Sequence, residues 1–249
     1  MQPTLEQRLA ARDRPTDQWQ VMFQTWHDLL FLHWSFDPAI IQASLPPGLT
    51  VDTWQGKAYL GIGPFLMRNI RPRFLPAVPG ISNFHEINLR TYVFDQHGRP
   101  GVWFYSLDAN QWLAVRTART LFQLPYFDAK MSHIKTGSGR ILYYSQRKRV
   151  QTTSSKFDYA TIKSIGIAEP GTFEFFLAER YLLFAYRNNG QLYSGQVIHK
   201  PYPLYSADVF EFDTGLIELV GFEKPNRPPD HALFSPGVEV DVFPIQKID

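Results

Sequence analysis

The 249-residue sequence contains no cysteine. That one absence excludes disulfides, thiolate nucleophiles, iron–sulfur clusters and thiolate-ligated zinc. A dominant charge is also missing: 25 Lys and Arg face 23 Asp and Glu, a formal net charge of +2 and too weak a field to imply a polyanionic partner. The basic clusters Arg68–Arg73 and Arg147-Lys148-Arg149 have no interleaved aromatic platform of the kind that binds single strands. Long apolar runs are absent too, because the densest, Leu29-Leu30-Phe31-Leu32, is cut by His33. Residues 1–20 carry charge and Gln, without the apolar stretch that follows a basic start in a signal peptide. These absences favour a cytoplasmic protein with no nucleic-acid and no membrane partner.

The sequence does have core-forming material, 44% hydrophobic and 15% aromatic, enough for a large globular interior. One domain spanning 1–249, with 1–20 as an N-terminal extension, is the expectation at this length. The 19 Pro and 16 Gly are spread between short aromatic and β-branched runs, the punctuation of strands. Strands are predicted over 26–34, 58–67, 84–94, 102–107, 130–135, 140–147, 159–165, 181–186, 191–199 and 238–243. Gly137-Ser138-Gly139 and Asn188-Asn189-Gly190 supply residues that tolerate positive φ, so neighbouring strands in the second half are expected to be antiparallel. Helices are few: one after Asp37-Pro38, one over 110–123 with Asp108 or Asn110 as cap, and one opened by Gly171-Thr172. In the second helix Ala114, Ala118, Leu121 and Phe122 share one face and Arg116, Arg119, Thr120 and Gln123 another. Residues 68–79 read as a long basic loop.

Several segments taken together identify a family. Phe84-His85-Glu86-Ile87-Asn88-Leu89-Arg90-Thr91-Tyr92-Val93, then Gly101 to Ala109, Ala118-Arg119 and Leu124-Pro125-Tyr126-Phe127-Asp128-Ala129-Lys130-Met131 resemble the uncharacterised YqjF-like family. That is a domain-of-unknown-function group related to acetoacetate decarboxylase. The decarboxylases place a glutamate on a strand, Leu-Asp before a helix, Gly-Arg-Glu within it, and then Tyr-Pro-Lys-Lys. The landmarks here are Glu86, Leu107-Asp108, Ala118-Arg119-Thr120 and Leu124-Pro125-Tyr126-Phe127. The resemblance implies a closed, cone-like antiparallel β-barrel with flanking helices and a central pocket. It also exposes a departure. The first decarboxylase lysine forms a Schiff base with the substrate ketone and the second lowers its pKa, an example of an activated lysine. Tyr126 and Phe127 stand at those positions and can do neither. An arginine of the decarboxylases falls near His27 here, and a second acidic position near Gly61-Ile62.

On an extended 84–94, Glu86, Asn88, Arg90 and Tyr92 share one face and His85, Ile87, Leu89, Thr91 and Val93 the other. From the residues alone, the polar face is either the wet outside of a sheet or a pocket wall; the resemblance puts Glu86 inside. About 13 Å of strand separates Glu86 from Arg90, at roughly 3.3 Å per residue, a gap that a ligand carboxylate can span. By period two Lys130 shares a face with Tyr126. Histidine spacing offers no HxH or HExxH, and Gly61-Ile62-Gly63 lacks the rest of a dinucleotide fingerprint, so neither a metal nor another cofactor is expected. Glu86 and Tyr126 are therefore the candidate catalytic residues, and Arg90, Asn88, His27 and Arg119 the candidate substrate-binding ones. Arg119 has a second reading, as a clamp on the proline-bearing turn. The function expected is a non-Schiff-base enzyme or a binder of a small organic or keto acid. The alternative is an assembly or scaffold protein with a vestigial pocket. A small-molecule ligand is the expected partner, with self-association left open.

Overall fold

The computed structural model describes residues 1–148, 150, 154–187 and 189–248, so Arg149 of the basic cluster and Asn188 of the second turn lie outside it, as does the side chain of Leu121. The chain begins with α1 (Leu5–Ala10), β1 (Met22–Phe36), α2 (Pro38–Ala43), β2 (Leu49–Val51), β3 (Ala58–Pro72) and β4 (Phe84–Asp95). It continues through β5 (Pro100–Ala109), α3 (Trp112–Thr117), β6 (Tyr126–Lys135), β7 (Arg140–Arg147) and β8 (Ser154–Gly166). Then follow α4 (Phe173–Ala178), β9 (Leu182–Tyr186), β10 (Leu192–His199), β11 (Leu204–Glu211), α5 (Gly215–Leu219), β12 (His231–Val242) and β13 (Gln246–Lys247). The protein is mainly β. Among the described residues, no helix is long and apolar enough to cross a membrane.

Hydrogen-bonded neighbours run β13-β10-β9-β5-β6-β7-β8-β11-β12-β1-β3-β4-β2, and β10 also pairs with β12 and β5 with β4. Each extra pairing returns the path to a strand it already contains. The consequence is plain on β1 and β4, which are buried on both faces. On β1, Leu29 and Phe31 enter one apolar cluster with Phe65, Leu107, Tyr126 and Val240. Leu30, Leu32 and Trp34 enter a second with Ile87, Leu89, Tyr143 and Phe157. The continuous run Leu29 to Leu32 is thus the mark of a strand with no wet side. Neither face of β4 is the outside of a sheet.

The antiparallel expectation for the second half holds at β6–β7, β7–β8 and β9–β10, whereas β5, in the first half, departs from the wholly antiparallel sheet that the resemblance implies. There Leu107, Asp108 and Ala109 pair in parallel with Tyr126, Phe127 and Asp128, and Val102 and Trp103 pair in parallel with Leu183 and Phe184. Parallel neighbours need a crossover, and α3 with the π-helical turn Ala118–Phe122 supplies it between β5 and β6. Gln111, rather than Asp108 or Asn110, caps α3 by accepting a hydrogen bond from the Leu113 amide. Asp108 is held by Arg147, and Asn110 accepts from the His85 amide. The predicted basic loop is shorter than expected, because β3 continues to Pro72, with Arg68 opposite Thr25 and Arg71 opposite Phe23. Helix α1, capped reciprocally by Thr4 and Gln7, lies within the segment read as an extension.

Gly101, on β5 beside β9, permits the closest backbone approach at this junction. A Cβ there would meet the Leu182 carbonyl oxygen at 2.6 Å and the Phe184 ring at 2.7 Å. Gly101→Ala is therefore expected to lower stability by about 1–3 kcal/mol through forced backbone displacement. Urea denaturation would show this as a lower midpoint, and an unchanged midpoint would contradict the close packing.

Candidate functional site

The side chains of β4 that point toward the first apolar cluster, Glu86, Asn88 and Arg90, line a cavity of about 530 Å³ together with Tyr126 and Arg180. Most of the remaining wall is apolar, including Trp26, Phe31, Phe65 and Phe104. Room for the polar side chains comes from β3, where Gly61 faces Arg90 and Gly63 faces Asn88 across the ladder. A Cβ on Gly63 would lie 3.2 Å from Asn88 Oδ1. Glycine inside a strand commonly marks such an approach.

Tyr126 is the first residue of β6, and the crossover delivers it. Gln123 takes a left-handed φ of 54° after the π turn, the Leu107 amide donates to the Pro125 carbonyl at 3.0 Å, and Arg119 Nε donates to the Tyr126 carbonyl at 2.5 Å. The phenol then donates to Glu86 Oε2 at 2.7 Å, both groups being buried. Behind them the Tyr143 hydroxyl donates to the Glu86 carbonyl at 2.8 Å and the Phe65 carbonyl at 3.2 Å. Asp108 forms a two-pronged pair with Arg147, through Nη2 at 2.7 Å and Nε at 3.1 Å.

Burial pushes the Glu86 carboxyl up to about 8; the Tyr126 hydrogen bond opposes the shift and the nearby Asp108 charge adds to it. Burial, with the adjacent Glu86, also holds the Tyr126 phenol well above its ordinary value. The pair is thus a neutral acid and a neutral phenol at neutral pH, able to give or share a proton without first separating charge.

Arg90 has no carboxylate within 4.0 Å among the described residues; its guanidinium lies 5.2 Å from the Phe31 ring centroid and 6.0 Å from that of Tyr92. Glu86 and Arg90 therefore form no direct pair, although they share a strand face. Arg180 is buried and was not anticipated. Its Nη1 pairs with Asp52 at 2.7 Å, its Nε donates to the Phe176 carbonyl at 2.7 Å, and its Nη2 has no hydrogen-bond partner. Asp52 is shared, since Arg8 of α1 grips both its oxygens at 2.6 and 2.7 Å. Asn88 Oδ1 is likewise buried without a partner.

Two candidate substrate-binding residues stand elsewhere. His27 is exposed and absent from the cavity wall, because its position on β1 precedes the left-handed Asp28, where the β1–β3 register breaks. Arg119 is exposed and spends its Nε on the Tyr126 backbone, which is the clamp reading of that residue. Lys130 is exposed as well: the burial of Tyr126 and Ala129 breaks the period of two along β6. No described lysine lines the cavity. Phe127 lies beside two cations, its ring centroid 3.8 Å from the Arg147 guanidinium and 5.5 Å from that of Arg119.

The model of the family DUF2071, an uncharacterized conserved protein, matches residues 23–239. The chain belongs to this family. It is 43% identical over 210 residues to the uncharacterized protein YqjF of Bacillus subtilis (strain 168), covering 84% of this chain and 85% of that one. Among solved structures, the fold of this DUF2071 chain is similar to an acetoacetate decarboxylase-like enzyme from Sphingomonas wittichii RW1, with a TM-score of 0.63, 11% identity and coverage of 93% and 94% of the two chains. The enduracididine biosynthesis enzyme MppR complexed with pyruvate gives 0.64 and 14%, over 94% of this chain and 92% of that one. Acetoacetate decarboxylase from Legionella pneumophila gives 0.63 and 12%, over 95% and 93%. The DUF2071 fold is therefore acetoacetate decarboxylase-like.

An unfolded Glu86 ionises near its ordinary 4.5, whereas the folded one holds its proton to about 8. The stability it lends is fully present below the unfolded value and is lost as pH rises through the folded one. Glu86→Gln keeps an acceptor for Tyr126 and removes this titration. Urea denaturation between pH 4 and 9 is expected to show the variant gaining on the native chain as pH rises through that window, and a difference independent of pH would place Glu86 in a water-like setting.

Proposed function

We propose that this DUF2071 chain takes a small organic acid into a central cavity of a closed, cone-like single domain and acts on it, or holds it, without an imine. Glu86 serves as the acid/base group and Tyr126 as its hydrogen-bonding partner. Arg90 pairs with the ligand carboxylate, and Asn88 orients a polar substituent. The observation that carries this reading is the buried Tyr126–Glu86 hydrogen bond of 2.7 Å in the cavity wall; the sequence resemblance sets Tyr126 against the reactive lysine of the decarboxylases.

The chemistry follows from the two protonation states. A glutamic acid that titrates near 8 can donate a proton at neutral pH, and after donation its carboxylate remains stabilised by the phenol. A phenol held protonated is a donor toward a developing oxyanion and cannot condense with a ketone. The pyruvate complex of the structurally similar MppR supports a small keto acid as one ligand class. Asn88 Oδ1 and Arg180 Nη2 line the cavity without a protein hydrogen-bond partner, so each is available to a polar group of a ligand, which supports a binding pocket over a vestigial one.

Borohydride trapping tests the absence of an imine. With pyruvate or acetoacetate the native chain is expected to keep its mass, while Tyr126→Lys places an amine beside Glu86 and is expected to gain one reduced adduct. Intact-mass spectrometry reads both. A stoichiometric adduct on any native lysine would overturn the non-imine reading; a folded Tyr126→Lys chain without an adduct would remove Tyr126 from the reactive position.

A further inference from the structure

The cavity is far larger than a three- or four-carbon acid. At roughly 30 Å³ for a water-sized group, about 530 Å³ holds on the order of seventeen such groups, whereas pyruvate has about six non-hydrogen atoms. Its polar and apolar parts are also segregated by depth. Glu86, Asn88 and Arg180 are buried, at 3%, 5% and 8% exposure. Leu75, Val78, Ile81 and Leu113 also line the cavity, yet are 59%, 46%, 42% and 38% exposed, so the cavity opens to solvent through an aliphatic mouth.

Charge at the deep end is unbalanced. One carboxylate, Asp52, serves both Arg8 and Arg180, and Arg90 has no acid of its own among the described residues. The unpartnered Arg180 Nη2 and an Arg90 guanidinium without a carboxylate among the described residues call for an anion. A second charge on the ligand would be stranded against Trp26, Phe65 and Phe104.

We infer that the ligand is a monocarboxylic acid with an extended apolar body of about eight to fourteen carbons, bound carboxylate-first with its tail toward the aliphatic mouth. This rests on the organic-acid reading of the cavity and specifies the ligand it takes. Each buried methylene then contributes in proportion to the apolar surface it removes from water.

The test is calorimetric titration of the full chain with straight-chain saturated carboxylates from acetate to tetradecanoate below their aggregation limits, with pyruvate, and with the methyl ester of each tight binder. In parallel the Glu86 side chain is ¹³C-labelled and its titration followed by NMR. Affinity is expected to rise about fourfold per added methylene and to level off once the cavity is filled. The ester is expected to bind at least about tenfold more weakly than its acid. Arg90→Gln strands no buried acid, so it is expected to fold; it should weaken the acid about tenfold and leave the ester unchanged. Pyruvate moving the Glu86 titration with no gain along the acid series would overturn the apolar-acid inference while leaving the organic-acid reading intact. Chain-length dependence with ester and acid equal would overturn the carboxylate-first arrangement. If no acid of any length binds or moves Glu86, the reading of the cavity itself falls.

Discussion

A strand with two buried faces has nowhere to put an idle polar side chain. That constraint governs β4, which stands between the cavity on one side and the cluster of Tyr143, Phe157 and Leu89 on the other. Ile87 and Leu89 satisfy the second side by burial alone. Glu86, Asn88 and Arg90 face the first and must find a partner, change protonation state or wait for a ligand. Glu86 does the first two, through Tyr126 and through its raised pKa. Asn88 Oδ1 has no protein partner, and Arg90 lies against the Phe31 and Tyr92 rings without a carboxylate among the described residues.

The partner for Glu86 arrives by a route that local sequence does not specify. Tyr126 enters the cavity wall because β6 lies parallel to β5, and β6 lies parallel because α3 and its π turn carry the chain back along the sheet. The crossover thus fixes where residue 126 stands, and its side chain decides what chemistry can occur there. Phe127 shows the same division. Its surroundings are cationic, from Arg119 and Arg147, although the side chain itself carries no charge.

Much of β4 was legible in the sequence. Alternation separated Glu86, Asn88 and Arg90 from Ile87 and Leu89, and the structure keeps that division. Alternation cannot say whether the far side is water or another core, because burial of both faces depends on pairings between distant strands. For the same reason the parallel ladders of β5 escaped the turn chemistry, which reports only sequential neighbours. β11 was hidden by its half-exposed side chains, and β2 and β13 by their brevity. Arg180 left a signal that went unread: Glu179-Arg180 interrupts the apolar stretch from Phe175 to Ala185, and charges so placed must be paired or put to use. His27 and Arg119 were carried by alignment alone, and their backbone positions turn both outward.

The shared carboxylate of Asp52 gives the N-terminal helix an influence on a cavity it does not line. Arg8 and Arg180 meet at one oxygen, Asp52 Oδ2, while Arg8 also holds Oδ1, and each draws on the negative charge available to the other. Docking of α1 therefore sets how much positive potential Arg180 keeps for the deep end of the cavity. Displacing Arg8 would let Asp52 neutralise Arg180 more completely and make the pocket less attractive to anions, with no lining residue altered. The segment read as an N-terminal extension thereby balances charge behind the cavity wall.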